Sequence, residues 1–336
     1  MKILVTGGAG YVGSRLVPRL LEDGHEVRVL DVYYFGKESL ASVRERKNLE
    51  EIEGDIRDID IVKRSLVGID TVIHLACIAN DPSVELDPNL SKGINYDSLR
   101  PLLRAAKTAG VKRFIFASSS SVYGVSDAPK VTEEHPHVPV SLYNKYKSMC
   151  EDVLWEEQAS DFTVVAIRPA TICGYSPRQR LDLTVNILTN HAVNLDTITV
   201  FGGEQKRPNL HIEDMVNVYR LLLQADDNLI SGQAFNAGYQ NHRVRELAEI
   251  VQRVVSEKMP DKHPNIVTTP SDDIRSYHIS SEKLRQRLGF VPQYTIEDAV
   301  RDLVAAFRRG DLPNSIDDAR YYNVKAMKVL MQQAMV

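Results

Sequence analysis

Tyr143 and Lys147 stand four residues apart in Ser141-Leu142-Tyr143-Asn144-Lys145-Tyr146-Lys147, downstream of a serine run at Ser118-Ser119-Ser120-Ser121. On a helix that spacing brings both side chains to one face. A phenol ionises near ~10 and is a poor base at neutral pH. A neighbouring ammonium favours the phenolate and draws its pKa toward the working range. The pair reads as a tuned acid/base, able to take a proton from a hydroxyl while a hydride leaves the carbon beneath it.

Hydride chemistry needs an acceptor, and the first residues supply a place for one. Gly7-x-x-Gly10-x-x-Gly13, within Thr6-Gly7-Gly8-Ala9-Gly10-Tyr11-Val12-Gly13, follows a strand pattern and opens a helical one. In that context Gly7 permits the tight turn, Gly10 lets the backbone approach a pyrophosphate, and Gly13 lets the helix pack against the strand. Tyr11 and Val12 complete the helix N-terminus that faces the phosphates. Asp31 ends the second strand, where a carboxylate accepts from a ribose 2′-hydroxyl and repels a 2′-phosphate, so NAD is favoured over NADP. Asp55-Ile56 follows the third strand; Asp55 could meet the adenine amino group or serve as a plain turn aspartate.

Short β-branched runs at 2–6, 26–31, 49–54, 70–75, 113–118 and 162–168 alternate with helical patterns at 12–23, 58–67, 89–109 and 142–159. That alternation predicts an α/β fold, a doubly wound parallel sheet covered on both faces. Beyond Arg168-Pro169 the pattern loosens, then resumes with helices near 213–225, 244–257, 280–288 and 295–308, which predict a smaller, mostly helical substrate-binding cap. The expected division is residues 1–175 plus about 211–240 for the NAD-binding Rossmann domain, and about 176–210 plus 241–336 for the cap. In the tail from Asp317, Val324, Met327, Leu330 and Met331 form a helical apolar stripe that docks on the body or on a partner subunit.

Length and composition narrow the class. A chain of 336 residues, 43% hydrophobic and 26% charged with net charge −4, is large enough for a substantial core and lacks a bulk electrostatic hold on nucleic acid or an anionic membrane. No apolar run approaches the ~18 residues of a spanning helix, so a cytoplasmic protein is expected. Cys77, Cys150 and Cys173 are odd in number and lack C-x-x-C spacing; they read as small buried apolar residues. Glu133-Glu134-His135-Pro136-His137 carries metal-ligand residue types, but its proline favours a surface turn, and no metal is expected.

Together these parts resemble the extended short-chain dehydrogenase/reductases, specifically the NAD-dependent sugar-nucleotide epimerase/dehydratase family, over about residues 2–308. The motifs that carry the resemblance are the Thr6 to Gly13 turn, Asp31, Asp55-Ile56, His74-Leu75-Ala76, Asn95, Ser118 to Gly124, Tyr143 with Lys147, and Arg168-Pro169. The resemblance implies that Tyr143 is the general acid/base, that Lys147 holds the nicotinamide ribose, and that Ser119, with Ser120 beside it, contacts the reacting sugar. It implies that Leu75-Ala76 passes under the cofactor and that Asn95 binds a neighbouring backbone element. His74 reads as a packed strand-end histidine. Arg207, in Gln205-Lys206-Arg207-Pro208, and Arg275, in Asp273-Ile274-Arg275-Ser276-Tyr277, resemble arginines that clamp the diphosphate of a nucleotide-diphosphate sugar, a use for which planar guanidinium donors suit. A homodimer paired through helices 89–109 and 142–159 is also implied.

Departures from the family pattern select among its reactions. Where the 4,6-dehydratase branch has an acidic pair after the position of Ser119, this chain has Ser120-Ser121, which removes the expected proton donor for loss of water. Epimerisation by transient C4 oxidation and re-reduction fits best. The alternatives are a nucleotide-sugar 4-dehydrogenase or 4-keto-sugar reductase and, in another class, a non-catalytic NAD-binding regulator. Arg168-Pro169-Ala170-Thr171 lacks an asparagine common near the sugar diphosphate. Asn80 and Ser83, in the loop after the fourth strand, offer contacts to the sugar, and Arg178 and Arg180 offer contacts to a phosphate or an acidic sugar.

Overall fold

The computed structural model describes residues 1–126, 128, 130–271, 276 and 278–334. Its strands are β1 (Lys2–Thr6), β2 (Glu26–Asp31), β3 (Leu49–Glu53), β4 (Thr71–His74), β5 (Arg113–Ala117), β6 (Thr163–Pro169), β7 (Thr171–Cys173), β8 (Thr197–Phe201), β9 (Lys206–His211), β10 (Gln233–Ala237), β11 (Gln240–Arg243) and β12 (Asn265–Thr269). Seven of them form one parallel sheet in the order β10-β6-β5-β4-β1-β2-β3. The order reverses between β1 and β4, and the crevice outside the carboxyl ends of strands at such a switch point is where ligands bind in open α/β sheets.

Successive residues of β1 face opposite sides of the sheet, as the strand period requires. Ile3 and Val5 join Leu16, Val17 and Leu20 of the Gly13–Glu22 helix and Leu222 of the Ile212–Gln224 helix. Leu4 joins Leu102 and Leu103 of the Leu99–Thr108 helix and Leu154 of the Leu142–Glu157 helix on the opposite face. Both faces are therefore covered, the expected doubly wound arrangement.

The second lobe holds the β11-β9-β7 and β12-β8 sheets and a third core packed by the Thr184–Leu195, Val244–Lys258 and Ile296–Arg309 helices. The tail helix Asn323–Ala334 returns to the first lobe, where Met327 is buried in its core and Leu330 packs against it. The tail stripe thus docks on the chain's own body.

The pattern predicted over 89–109 as one helix is three pieces: Pro88–Lys92, a π turn at Gly93–Asp97, and Leu99–Thr108. The π turn carries Asn95, which accepts from the Ile78 N–H at 2.8 Å and donates to the Ile78 carbonyl at 2.9 Å. One extra residue in the turn is the means by which this side chain is turned onto the loop after β4.

His74 ends β4 opposite Thr6 of β1; its Nδ1 lies 2.7 Å from Thr6 Oγ1 and its ring stacks on Phe116 at 5.9 Å. Burial, with a contribution from Lys147, pushes the imidazole from the ordinary 6.5 to about 3. Between those values the unfolded chain binds the proton and the folded chain does not, so the stability present above pH 6.5 is lost as pH falls toward 3. Each unit in that window costs about 1.4 kcal/mol. Urea denaturation at several pH values should show this loss in the native protein and a shallower one in His74→Gln; identical slopes would contradict the assignment.

Candidate active site

A cavity of about 530 Å³ opens at the carboxyl ends of β1, β4 and β5, and a second of about 110 Å³ adjoins it toward β2 and β3. Its floor is the glycine turn. Gly7 has φ +74°, and a Cβ there would come within 2.6 Å of the Ala76 nitrogen, so the turn can approach the end of β4 only with glycine. At Gly13 a Cβ would meet the carbonyl oxygens of Gly8 and Gly7 at 2.5 and 2.6 Å. The helix can therefore join the turn this closely only with glycine at position 13. Gly10, Tyr11 and Val12 line the larger cavity.

Asp31 opens into the smaller cavity. Its Oδ2 accepts from Ala9 N–H at 2.9 Å and its Oδ1 from Tyr33 N–H at 2.8 Å, while burial raises its pKa. Leu75, Ala76, Asp55 and Ile56 line the same space. The Asp55 carboxylate is held by Arg57, with Nη2 to Oδ2 at 2.6 Å, so it sits at this rim as a paired turn aspartate rather than an uncommitted acceptor.

The Leu142–Glu157 helix begins at Ser141, whose hydroxyl accepts from the Asn144 N–H. From its first turns Tyr143 and Lys147 both enter the larger cavity, the Lys147 Nζ 5.8 Å from the Tyr143 ring centroid. Lys147 is 4% exposed; its Nζ donates to the Ala117 carbonyl at 2.6 Å and lies 4.9 Å from the Phe116 ring centroid. Burial pushes the Tyr143 phenol up to about 12, with Lys147 pulling it down by less. The expected acidified phenol is thus not produced by the protein alone, because loss of water around the phenolate outweighs one ammonium. Ser119 stands at the cavity wall with its Oγ 2.7 Å from Ser121 Oγ, and Ser120 beside it is buried and also lines the cavity.

The polar residues expected at the substrate end gather there unevenly. Asn80, at φ +75°, caps the short Asp81–Val84 helix through Ser83 N–H and donates to Asp182 Oδ2 at 3.3 Å. Arg180 is paired with Asp182, Nε to Oδ1 at 2.9 Å and Nη2 to Oδ2 at 3.2 Å. Burial works against the Asp182 carboxylate, yet Arg180 holds its pKa below the ordinary range. Arg207, on β9, lines the larger cavity. Arg178 also lines it, but beside the glycine turn. Arg275 lies outside the described residues.

Four residues in or behind the cleft were not read from the sequence as belonging there. Cys77 is not a buried apolar residue: it is half-buried, lines the cavity and contacts the Lys147 ammonium, because the loop after β4 turns it toward the cleft. Glu151, fully buried one turn beyond Lys147, binds Arg168 with Oε2 2.6 Å from Nη2 and accepts from Ser118 Oγ. Its place four residues after Lys147 on the same face was an available signal. Asn323 and Met327 of the tail reach the cavity from far along the chain; Met327 belongs to the expected apolar stripe, but no local pattern marks either residue as part of a site. Glu133, His135 and His137 do not converge: Glu133 accepts from Asn236 N–H, His135 pairs with Ser126, and His137 pairs with Ser148.

A glycine-rich turn at a switch point, a strand-end carboxylate and a half-buried tyrosine beside a buried lysine define a dinucleotide-dependent oxidoreductase of the short-chain dehydrogenase/reductase class. NAD fits these residues: bare backbone faces the cleft at Gly10, Asp31 has lone pairs for ribose hydroxyls, and Lys147 has N–H groups beyond the one bound to Ala117. The model of the NAD dependent epimerase/dehydratase family matches residues 3–238. The chain belongs to that family; it is an enzyme, and NAD is its cofactor. It is 31% identical to the UDP-glucose 4-epimerase of Mycolicibacterium smegmatis over 324 residues, 92% of this chain and 99% of that protein. It is 26% identical to UDP-glucuronic acid decarboxylase 1 of Xenopus tropicalis over 321 residues, 92% of this chain and 72% of that protein. The crystal structure of the UDP-glucuronic acid 4-epimerase from Bacillus cereus, in complex with UDP-glucuronic acid and NAD, superposes with a TM-score of 0.81 at 25% identity, covering 92% of this chain and 99% of that one.

Removing one member of a buried ion pair leaves the other uncompensated, at a cost of about 3–5 kcal/mol. Glu151→Gln should lose stability on that order in chemical denaturation. A change under about 1 kcal/mol would show that the Arg168 pair does not brace the Leu142–Glu157 helix.

Proposed function

We propose that this chain is a cytoplasmic nucleotide-sugar 4-epimerase acting on a UDP-hexose, and that it works as a homodimer paired through the helices within 89–109 and 142–159. The observation that carries the reaction type is the composition of the cleft around Tyr143: a tyrosine, a lysine and a serine, with two serines where dehydration needs an acid. The UDP-glucose 4-epimerases among its relatives support the same reading.

NAD, when bound, supplies the hydride acceptor and a positive charge beside the phenol. Tyr143, as phenolate, takes the proton of the sugar C4 hydroxyl while C4 gives up its hydride, and returns that proton when hydride comes back to the opposite face of the ketone. Ser119 Oγ, at the cavity wall, hydrogen-bonds the reacting oxygen and keeps it in line with the phenol. Lys147 keeps positive charge beside Tyr143 throughout, so the phenolate is least costly at the moment it is needed. Arg207 engages the sugar diphosphate. The pairing of Arg180 with Asp182 cancels the charge that an acidic sugar would seek, which favours a neutral hexose.

Purified protein given UDP-sugars without added cofactor should interconvert C4 epimers. Lasting absorbance of reduced nicotinamide would instead indicate a dehydrogenase, and release of carbon dioxide from UDP-glucuronate a decarboxylase. Tyr143→Phe should lower kcat by about 10³-fold or more with NAD content unchanged; undiminished turnover would remove Tyr143 from the mechanism. Because the phenol is raised and its base form is the active one, the rate should climb as pH rises from about 6 to about 9, and a rate that falls over that range would contradict it. Light scattering should give the mass of two chains, and a monomer mass would refute the dimer.

A further inference from the structure

Arg178 was expected among the substrate contacts, yet the structure carries it to the other end of the cleft. Residues 174–178 are stapled to the glycine turn. Tyr11 OH donates to the Gly174 carbonyl at 2.7 Å, Ser176 Oγ donates to the Tyr11 carbonyl at 2.7 Å, and the Arg178 N–H donates to Ser14 Oγ at 3.2 Å. Ser14 lies in the first turn of the Gly13–Glu22 helix, so the backbone of Arg178 is fixed at the helix N-terminus that the glycine turn opens.

The side chain is 5% exposed, and its guanidinium carbon lies 3.6 Å from the ring centroid of Phe35, which lines both cavities beyond β2. Nη2 donates to Asn323 Oδ1 at 2.6 Å, whereas Nε and Nη1 are buried without a hydrogen-bond partner. A guanidinium with two unsatisfied buried edges is costly unless an anion meets it. Burial, and then Arg180, hold its pKa down to about 9, the direction of a cation short of negative charge. The anion has to lie in the cleft beside the helix N-terminus, and a dinucleotide presents one group of that kind, its pyrophosphate; the adenosine ribose on the Asp31 side is uncharged.

We propose that Arg178 is a cofactor ligand: its Nε and Nη1 edge binds the pyrophosphate of NAD from the side opposite the glycine turn, with Phe35 holding the guanidinium plane. The cleft is thereby closed over the dinucleotide by a segment that follows the central sheet's sixth strand rather than by the glycine turn alone. The inference rests on the cofactor assignment and is independent of which sugar reaction the enzyme performs.

The test is calorimetric titration of cofactor-depleted protein with NAD, ADP-ribose, adenosine and UDP, for the native chain, Arg178→Met and Arg178→Lys. Arg178→Met keeps the apolar stem on Phe35 and removes the charge. It should weaken NAD and ADP-ribose about 10- to 100-fold, while adenosine and UDP stay within about threefold. Arg178→Lys, with charge but no fork, should fall between Met and the native chain. If Arg178→Met does not fold, the ADP-ribose to adenosine affinity ratio of Arg178→Lys, verified by its circular dichroism melt, decides in the same way. Unchanged NAD affinity overturns the proposal, as does an equal loss for adenosine, which marks a merely structural role. Loss of UDP with NAD retained overturns it too and returns Arg178 to the substrate. A protein that passes this test yet fails to epimerise any sugar would sink the proposed reaction without touching Arg178.

Discussion

A buried ammonium sets the geometry of this enzyme. Lys147 is almost wholly removed from water, and taking an amine of that kind into the interior costs several kcal/mol unless close partners compensate. Its partners are the Ala117 carbonyl at the end of β5, the Phe116 ring beneath it, and Cys77 and Tyr143 beside it. Two of these are on β5, one is on the loop after β4 and one is on the same helix, so satisfying one charge fixes the Leu142–Glu157 helix against β5 and that loop together. The same charge reaches His74, which it helps keep neutral, and Tyr143, whose phenolate it favours against burial.

Behind Lys147 the constraint continues through groups that never meet substrate. Glu151 takes Arg168 and the Ser118 hydroxyl; Arg168 Nη1 donates to Tyr123 OH, which donates to Asn236 Oδ1 at 2.7 Å. This chain of bonds runs from the catalytic helix through β6 and the serine turn to β10. A half-satisfied buried network is worse than an apolar core, and every link in this one has a partner. Its effect is to give the serine run and the Tyr143 helix, both of which line the larger cavity, a common anchor.

The parts that the sequence disclosed are those whose signal is local. β1 to β6 fall within a residue or two of the expected runs: the central strands are apolar stretches buried on both faces that alternate with amphipathic helices, while β3, Leu-Glu-Glu-Ile-Glu at the sheet edge, is only half-buried. Gly7, Asp31, Tyr143 and Lys147 were legible as cleft residues because each combines one residue type with one spacing, and all four line the cavities. What escaped was non-local. β10 reads Gln233-Ala234-Phe235-Asn236-Ala237, a run with no strand signature, and is a strand because β6 lies beside it. β7, β9 and β11 are three to six residues each and acquire their identity from pairing across distant segments. The pieces of 89–109 illustrate the same limit: helical periodicity was present throughout, and a side-chain bond from Asn95 to Ile78 overrode it locally. Arg178 was legible as a residue type suited to an anion, but its place beside the glycine turn comes from bonds to Tyr11 and Ser14 that no local pattern marks.

One stretch of chain joins the two ends of the larger cavity. Residues 174–182 leave β7, cross the glycine turn, and place Arg178 beside that turn and Arg180 with Asp182 near Tyr143. Asp182 also accepts from the Asn323 N–H at 3.0 Å and from Asn80, while Asn323 accepts from Arg178, so the tail, the loop after β4 and this segment share one polar cluster. An anion meeting Arg178 from within the cleft would touch a side chain already bonded to Asn323, and through Asn323 to Asp182 and Arg180, so the region beside the glycine turn and the region near Tyr143 share one continuous set of polar contacts.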